Sequence, residues 1–375
     1  MKYSNGNRKK RRLCIIVPKH WAAFMGGAQY QAKCLLEKLI DRDAHEIYYI
    51  ARVVDSKFIP RGYQVIKIGK ANEEPRYGVS VDIFQLKNIL NTIKPDVIYQ
   101  RVACAYTGVA AWYSRRNNCK FIWHIAHDTD VSRSENNKIW RYELTNYFVR
   151  KFVDYGIKHT NHIIAQTAHQ NTLLRLNYGK SADAVVPNFH PYPDKEIFKE
   201  GTVKIVWIAN LKPWKQPETF IRLAKDLKYV EGAQFLMIGA SPSKESEWFS
   251  SLLKEINSQN NLSYLGVCTQ EKVNEILSSS HIFVNTSRYE GFANTFIQAW
   301  MRKVPVVSMH VNPDGIFDSE KVGFFAGNSY EYLKQKVELL IENAGIRFEI
   351  GENAQKYAFH NHSVKNAEKV IELLE

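Results

Sequence analysis

Glu290 and Gln298, eight positions apart, lie in a stretch from His281 to Val307 whose residue types could bind and process a polar ligand. Ile282, Phe283 and Val284 form a short apolar run after Ser278, Ser279 and Ser280, the pattern of a strand buried on both faces. Glu290-Gly291 breaks that run into a turn. Asn294 or Thr295 can cap the helix that follows, and Phe296, Ile297, Trp300 and Met301 give it an apolar stripe at helical spacing. Pro305 ends the helix and Val306-Val307 begins another strand. The pattern predicts a βαβ unit whose loop-to-helix junction lies at the carboxyl end of a strand, where open α/β sheets place ligands. Backbone N–H groups from Ala293 to Phe296 would then form an anion site suited to a phosphate. The plain alternative is a Thr295–Gln298 capping box beside a loop acid, Glu290. With strand, Gly291, helix and Pro305 in register, the ligand reading is favoured.

Three other junctions repeat the arrangement. Leu13–Val17 reads as a first parallel strand, Gly26-Gly27 as the turn after it, and Ala28–Ile40 as an amphipathic helix. Glycine lets a backbone approach a phosphate closely, although glycine pairs also open many helices for packing reasons. Phe121–Ala126 reads as a strand with His127-Asp128 at its carboxyl end; these two face the same crevice or cap the next segment. Val203–Ala209 is a strand followed by Asn210-Leu-Lys-Pro-Trp-Lys215, with Lys212 and Lys215 as loop cations, and by a helix over Glu218–Leu227.

The connecting elements are strands at His45–Ala51, Tyr63–Ile68, Asp96–Val102, His162–Thr167, Phe235–Gly239 and Leu262–Gly266. Helices are expected at Asp82–Ile93, Ala105–Asn117, Asn171–Tyr178, Glu331–Ile341, Arg347–Tyr357 and Val364–Leu374. Strand and helix signals alternate throughout, which makes the chain α/β with a parallel sheet in each half. Pro187 to Thr202 has the composition of a linker.

Glu290-Gly291-Phe292, Gln298-Ala299-Trp300 and Val304-Pro305-Val306-Val307 together resemble the E(x7)E region of family 4 retaining glycosyltransferases of GT-B fold. The resemblance covers most of the chain, strongly from about Val203 to Val322. It implies two Rossmann-like domains facing across a cleft: 1–189, with a C-terminal helix at about 360–375 packing back onto it, and 202–359. By resemblance Glu290 contacts the donor sugar, Gln298 takes the ribose position, and the amides of Gly291, Phe292, Ala293, Asn294 and Thr295 bind the diphosphate. The family carries an acid where this chain has Gln298; an amide bonds ribose hydroxyls without charge assistance. Lys215 matches a diphosphate-binding lysine. Asn210 stands where the family has an arginine, and Lys212 is a substitute charge lacking its bidentate geometry. Gly26 and Gly27 match the loop across from the diphosphate, Val267 the turn near the nucleobase, and His127 the imidazole near the anomeric carbon and acceptor.

The implied activity is sugar transfer, with retention, from a nucleoside-diphosphate sugar to a glycan or lipid-linked acceptor, as in surface polysaccharide assembly. No cofactor and no metal are implied, since no Asp-x-Asp pair follows a strand in a suitable context. A nucleotide-sugar epimerase and a non-catalytic nucleotide-sugar or nucleic-acid binding protein stay open as alternatives.

At 375 residues the chain can bury two cores, and its 45 % apolar content is that of a globular protein. No apolar run approaches the ~20 residues that span a bilayer. Five scattered cysteines without CxxC spacing suit a reducing cytosol and argue against a disulfide frame or zinc site. The formal charge of +13 suits anionic partners, and part of it is an amino-terminal arm of Lys2, Arg8, Lys9, Lys10, Arg11 and Arg12. From Val131 to His159, basic residues (Arg133, Lys138, Arg141, Arg150, Lys151, Lys158) interleave with aromatic ones (Trp140, Tyr142, Tyr147, Phe148, Phe152, Tyr155). An amphipathic helix with a core-facing aromatic stripe is the commonest such pattern; an anionic membrane surface ranks next and nucleic acid last. The expected location is cytoplasmic, with the inner face of the membrane as the candidate surface.

Overall fold

The computed structural model describes residues 10–69, 79–132, 143–194, 197, 199–241 and 246–375, without the side chains of 79–81 and 143–146. Lys2, Arg8, Lys9, Arg133, Lys138, Trp140, Arg141 and Tyr142 lie outside the described residues. The chain divides into two compact units, residues 1–188 with 365–375, and residues 189–364.

In the first unit the strands are β1 (Arg11–Ile16), β2 (His45–Ala51), β3 (Gln64–Lys67), β4 (Val97–Arg101), β5 (Lys120–His124), β6 (His162–Ala165) and β7 (Ala184–Val185). They form one parallel sheet in the order β3-β2-β1-β4-β5-β6-β7. Helices α1 (Gly27–Arg42), α2 (Val79–Ile93), α3 (Ala105–Arg116), α4 (Glu143–His159) and α5 (Ala168–Tyr178) connect them. Leu13, Ile15, Ile98, Phe121 and Trp123 are fully buried, as a parallel strand covered on both faces requires. Helices α3 and α4 pack against each other where Gly108 and Gly156 leave room: a Cβ on Gly108 would lie 2.5 Å from the Phe152 carbonyl oxygen.

The second unit repeats the plan. Strands β8 (Val203–Ile208), β9 (Ala233–Ile238), β10 (Leu262–Tyr264), β11 (Ile282–Asn285), β12 (Val306–Ser308) and β13 (Gly323–Phe325) pair in parallel as β10-β9-β8-β11-β12-β13. Helices α6 (Pro217–Asp226), α7 (Glu247–Asn257), α8 (Gln270–Ser278), α9 (Asn294–Trp300), α10 (Ile316–Ser319), α11 (Tyr330–Glu342) and α12 (Ala344–Asn361) cover it. The last helix, α13 (Lys365–Leu374), packs in the first unit, where Arg42 pairs with Glu368 and Lys120 Nζ donates to the Leu373 carbonyl. Each sheet contains the 3-2-1-4-5-6 order of a doubly wound nucleotide-binding fold, extended by β7 in the first, with its topological switch between the strands first and fourth in sequence.

Several expectations need correction. Arg11 and Arg12 belong to β1 rather than to a solvated arm; the Arg12 amide donates to Asp96 at 2.7 Å and Arg11 reaches the Leu374 carbonyl at 3.2 Å. Helix α5 starts at Ala168, not Asn171, because the Thr167 hydroxyl accepts from the Gln170 amide and caps it. Helices α7 and α8, capped by Ser246 and Thr269, were not anticipated among the elements above. Asn188, Phe189 and His190 are buried, so the start of the supposed linker is core. Its polar and proline composition hides an anchor: the His190 amide donates to the His362 carbonyl at 3.0 Å. All five cysteines are free, and burial pushes the Cys34 and Cys119 thiols up to about 12.

Candidate functional site

The switch in the second sheet lies between β8 and β11, so the loops leaving these strands must share one crevice. Hydrogen bonds tie them together. The Thr286 hydroxyl donates to the carbonyls of Lys215 (2.6 Å) and Gln216 (2.9 Å), and itself accepts from the buried Trp207 indole at 2.9 Å. The Arg288 amide donates to the Trp214 carbonyl at 2.8 Å. With its amide oriented by its neighbours, Gln216 donates to the Thr286 carbonyl and to His310 Nε2 and accepts from Arg288 Nε at 3.2 Å. These bonds bring Lys215 and Glu290, 75 positions apart, into a direct ion pair. Both side chains are mostly but not fully covered, at 17 % and 16 % exposure. Trp214 and Tyr289, their chain neighbours, lie with ring planes 11° apart and centroids 6.3 Å apart, and Lys212 Nζ sits 4.8 Å from the centre of the Trp214 ring.

Helix α9 starts after Ala293 with no side-chain cap, so neither Asn294 nor Thr295 caps it. Asn294 instead meets His190, Oδ1 to Nε2 at 3.2 Å. Burial holds His190 at about 3, which leaves it neutral near pH 7. The Thr295–Gln298 capping box is not formed: Gln298 is buried and its Nε2 donates to Asn274 Oδ1 at 3.1 Å. The helix also stops at Trp300, several residues before Pro305. Of the amides expected to bind an anion, that of Phe296 is already committed to the Ala293 carbonyl at 3.0 Å. Gly291, Phe292 and Ala293 are buried; the Phe292 ring packs on Trp300 and His362.

The other second-unit candidates lie on the loops after β8 and β10. Asn210 Oδ1 accepts from the Ala240 amide at 3.4 Å, bracing the loop after β8 against the loop after β9. Gly239, at φ +155°, could carry no side chain, since a Cβ would lie 1.7 Å from the Ala209 carbonyl oxygen. Val267 is 76 % exposed and follows Gly266, whose φ of +68° makes the turn.

In the first unit, Gly26 is the N-cap of α1, with Gly27 opening the helix. A Cβ at Gly26 would come within 2.7 Å of Gln29 Oε1. His127 follows β5 and caps a short 3-10 turn at Asp128–Asp130, its Nδ1 accepting from the Thr129 amide at 3.2 Å. Asp130 accepts from the amides of Ala126 and His127 at 2.8 and 3.1 Å, which fixes the backbone there. No group of His, Cys, Asp and Glu side chains suited to a metal ion occurs among the described residues.

Residues 189–357 match the profile of the family described as glycosyl transferases group 1. The second unit belongs to that family. An uncharacterized glycosyltransferase of Methanocaldococcus jannaschii is 22 % identical over 358 residues, covering 92 % of this chain and 93 % of that protein. The chain matches only 58 % and 47 % of the length of two further glycosyltransferases from that organism. Among solved structures, a sucrose-phosphate synthase from Thermosynechococcus elongatus is similar with a TM-score of 0.77 at 15 % identity, over 97 % of this chain and 98 % of that one. Anabaena HepE, solved in complex with UDP and glucose, has a TM-score of 0.75 at 16 % identity over 97 % and 99 %. The architecture, two Rossmann-like α/β units, is that of GT-B glycosyltransferases.

In this group 1 unit, sequence reasoning selected Lys215 and Glu290, which the fold joins. It missed Thr286 and Arg288, which clamp the two loops, and Asn274, which holds Gln298. A Thr-Ser-Arg run directly after a buried strand was the available signal for the first two. Asn274 lies on the unanticipated α8 and had none. His190 was hidden by its place in an apparent linker.

Proposed function

We propose that the protein transfers a sugar, with retention and without a metal, from a nucleoside-diphosphate sugar to a glycan or lipid-linked acceptor in surface polysaccharide assembly. The observation that carries this is the Lys215–Glu290 pair at the switch point of the second sheet. Lys215 supplies charge for the leaving diphosphate, and Glu290, its partner, faces the donor sugar. Asn210 and Lys212 flank the phosphates, Val267 meets the base, and Gln298 offers its amide to the ribose. Gly291 to Thr295 line the diphosphate with backbone, less the Phe296 amide. His127, with Gly26 and Gly27, belongs to the first unit's share of the reaction, the imidazole orienting the acceptor hydroxyl. UDP and glucose are held by the similar HepE, which makes uridine the first base to try.

The test is a thermal-shift panel of UDP, GDP, ADP, CDP and dTDP with their common sugar conjugates. Ligand at about a hundred times its dissociation constant stabilises a one-site protein by roughly 2.7 kcal/mol. One base should respond, more strongly as diphosphate than monophosphate, and the response should vanish in Lys215→Ala. Silence toward every nucleotide sinks the proposal. The neutral Gln298 supports a second reading, a binding protein; bound nucleotide-sugar that is never consumed, with or without acceptor, would establish it.

A further inference from the structure

Helices α2, α3 and α4 of the first unit enclose a cavity of about 440 Å³ that the chemistry above does not use. Its walls are almost wholly apolar and include Phe84, Trp112, Phe152 and Tyr155, and two lysines, Lys87 and Lys151, also line it. The glycine notch at Gly108 and Gly156 draws α3 onto α4 along one wall of the cavity. Large apolar side chains lie open on these helices, Phe84 at 69 %, Tyr147 at 58 % and Phe148 at 56 % exposure. That is more apolar surface than a water-facing pair of helices needs.

Charge on the same helices is biased toward positive. Lys87, Arg115, Arg116, Arg150, Lys151 and Lys158 outnumber the acids Asp82, Glu143 and Asp154. Lys87 Nζ lies 5.0 Å from the centre of the Trp112 ring, the Arg116 guanidinium 4.6 Å from it, and Lys151 Nζ 5.2 Å from the Tyr147 ring. None of Lys87, Arg116 and Lys151 has a carboxylate partner among the described residues; they rest on aromatic faces instead. The acids with described side chains are engaged elsewhere: Asp82 is buried with Arg52 and Tyr106, and Asp154 accepts from the Tyr178 hydroxyl at 3.2 Å.

We propose that this cavity takes an acyl chain of an anionic phospholipid at a bilayer surface, with Lys87 and Lys151 beside the headgroup. An apolar slot flanked by cations and by aromatic rings matches the boundary between acyl chains and headgroups, where long basic side chains extend toward the phosphates. No helix among the described residues is long and apolar enough to cross a membrane, so the contact is peripheral to the bilayer. This adds a docking surface to the lipid-linked-acceptor reading and is independent of the nucleotide chemistry.

The experiment is co-sedimentation of the full chain with phosphatidylcholine vesicles, with and without phosphatidylglycerol, followed by fluorescence quenching with vesicles of brominated acyl chains. Binding should require phosphatidylglycerol and fall ~10-fold or more in Lys87→Glu/Lys151→Glu, as two reversed charges at an anionic surface dictate. Brominated chains should quench an emission component that Trp112→Phe removes. Equal binding to both vesicle types, quenching unchanged by Trp112→Phe, or no binding overturns the proposal. A nucleotide-induced thermal shift retained in the double variant shows that it is folded; loss of nucleotide response in the unaltered protein fails the donor reading alone.

Discussion

The two sheets share one strand order, yet their switch points are furnished differently. In the second unit the loops after β8 and β11 are clamped by Thr286 and Arg288 and carry a partly exposed Lys215–Glu290 pair. In the first unit, the loop after β1 brings His20 fully under cover, its Nε2 3.1 Å from the Tyr63 hydroxyl and its ring against Tyr49 and Phe58. Arg101, at the end of β4, is turned inward, donating to Asn188 Oδ1 at 2.8 Å beside a His124 that burial keeps neutral. Topology thus supplies a crevice in both units, and side chains decide which one can hold a charged ligand. The sharpest way to break this comparison is a pair of variants. Lys215→Ala should abolish the nucleotide-induced thermal shift and lower turnover by about 10²–10³. His127→Ala should leave the shift intact and lower turnover alone. Equal loss of nucleotide response in both would refute a donor site built from the second unit.

The cores differ as well. Around Trp300, fully buried with its indole donating to the Val322 carbonyl at 3.0 Å, rings of Phe292, Phe317 and Tyr357 pack edge to face and that of Phe296 packs tilted. The α3–α4 contact of the first unit relies on Gly108 and Gly156 instead. Trp300→Ala should therefore destabilise the second unit by about 3–5 kcal/mol. Urea unfolding followed by a probe in each unit would show it, with the first unit's midpoint much less moved.

Buried histidines make both units sensitive to acid, His20 in the first and His190 in the second. The folded state holds His190 near 3, whereas an unfolded chain restores it to about 6.5. Below 6.5 the unfolded state binds more protons, so the stability contributed by the neutral imidazole is present above that pH and lost as pH falls toward 3. The second unit should lose about 2 kcal/mol between pH 6.5 and 5 from this residue. Urea midpoints across that range would measure the slope, and His190→Gln should reduce it, leaving the part that comes from His281, which burial holds at about 4. An unchanged slope would mean that another group governs acid unfolding.

Strand and helix identity was legible because alternation of short apolar runs with 3.6-period stripes is a local signal. Glu290 was legible because it follows a buried strand, and Lys215 because it matches the diphosphate-binding lysine of the family it resembles, though only the shared crevice at the switch point explains why they meet. What the sequence hid was contact between distant polar groups. The capping box at Thr295 and Gln298 fits every local rule, but Asn274 on α8, a neighbour only in three dimensions, takes the Gln298 amide. His190 was concealed for the same reason, with prolines and polar residues around it and its burial supplied by Asn294 and His362.

Gln298→Glu makes the finest test of this second-unit site. The substitution restores the acid that the family carries, and a carboxylate accepting from ribose hydroxyls forms bonds roughly twice as strong as a neutral amide. At present Gln298 Nε2 donates to Asn274 Oδ1. A glutamate has no such donor, so the Asn274 amide must turn and donate instead, which an amide can do at little cost. If Gln298 faces the ribose, the affinity for the preferred nucleoside diphosphate should rise by up to about tenfold, or ~1.4 kcal/mol. Titration calorimetry against the corresponding 2′,3′-dideoxynucleoside diphosphate, which lacks the ribose hydroxyls, would isolate the gain. If affinity falls, the desolvation of a carboxylate at this buried position outweighs any ribose bond, and the Gln298–Asn274 pair is packing rather than recognition.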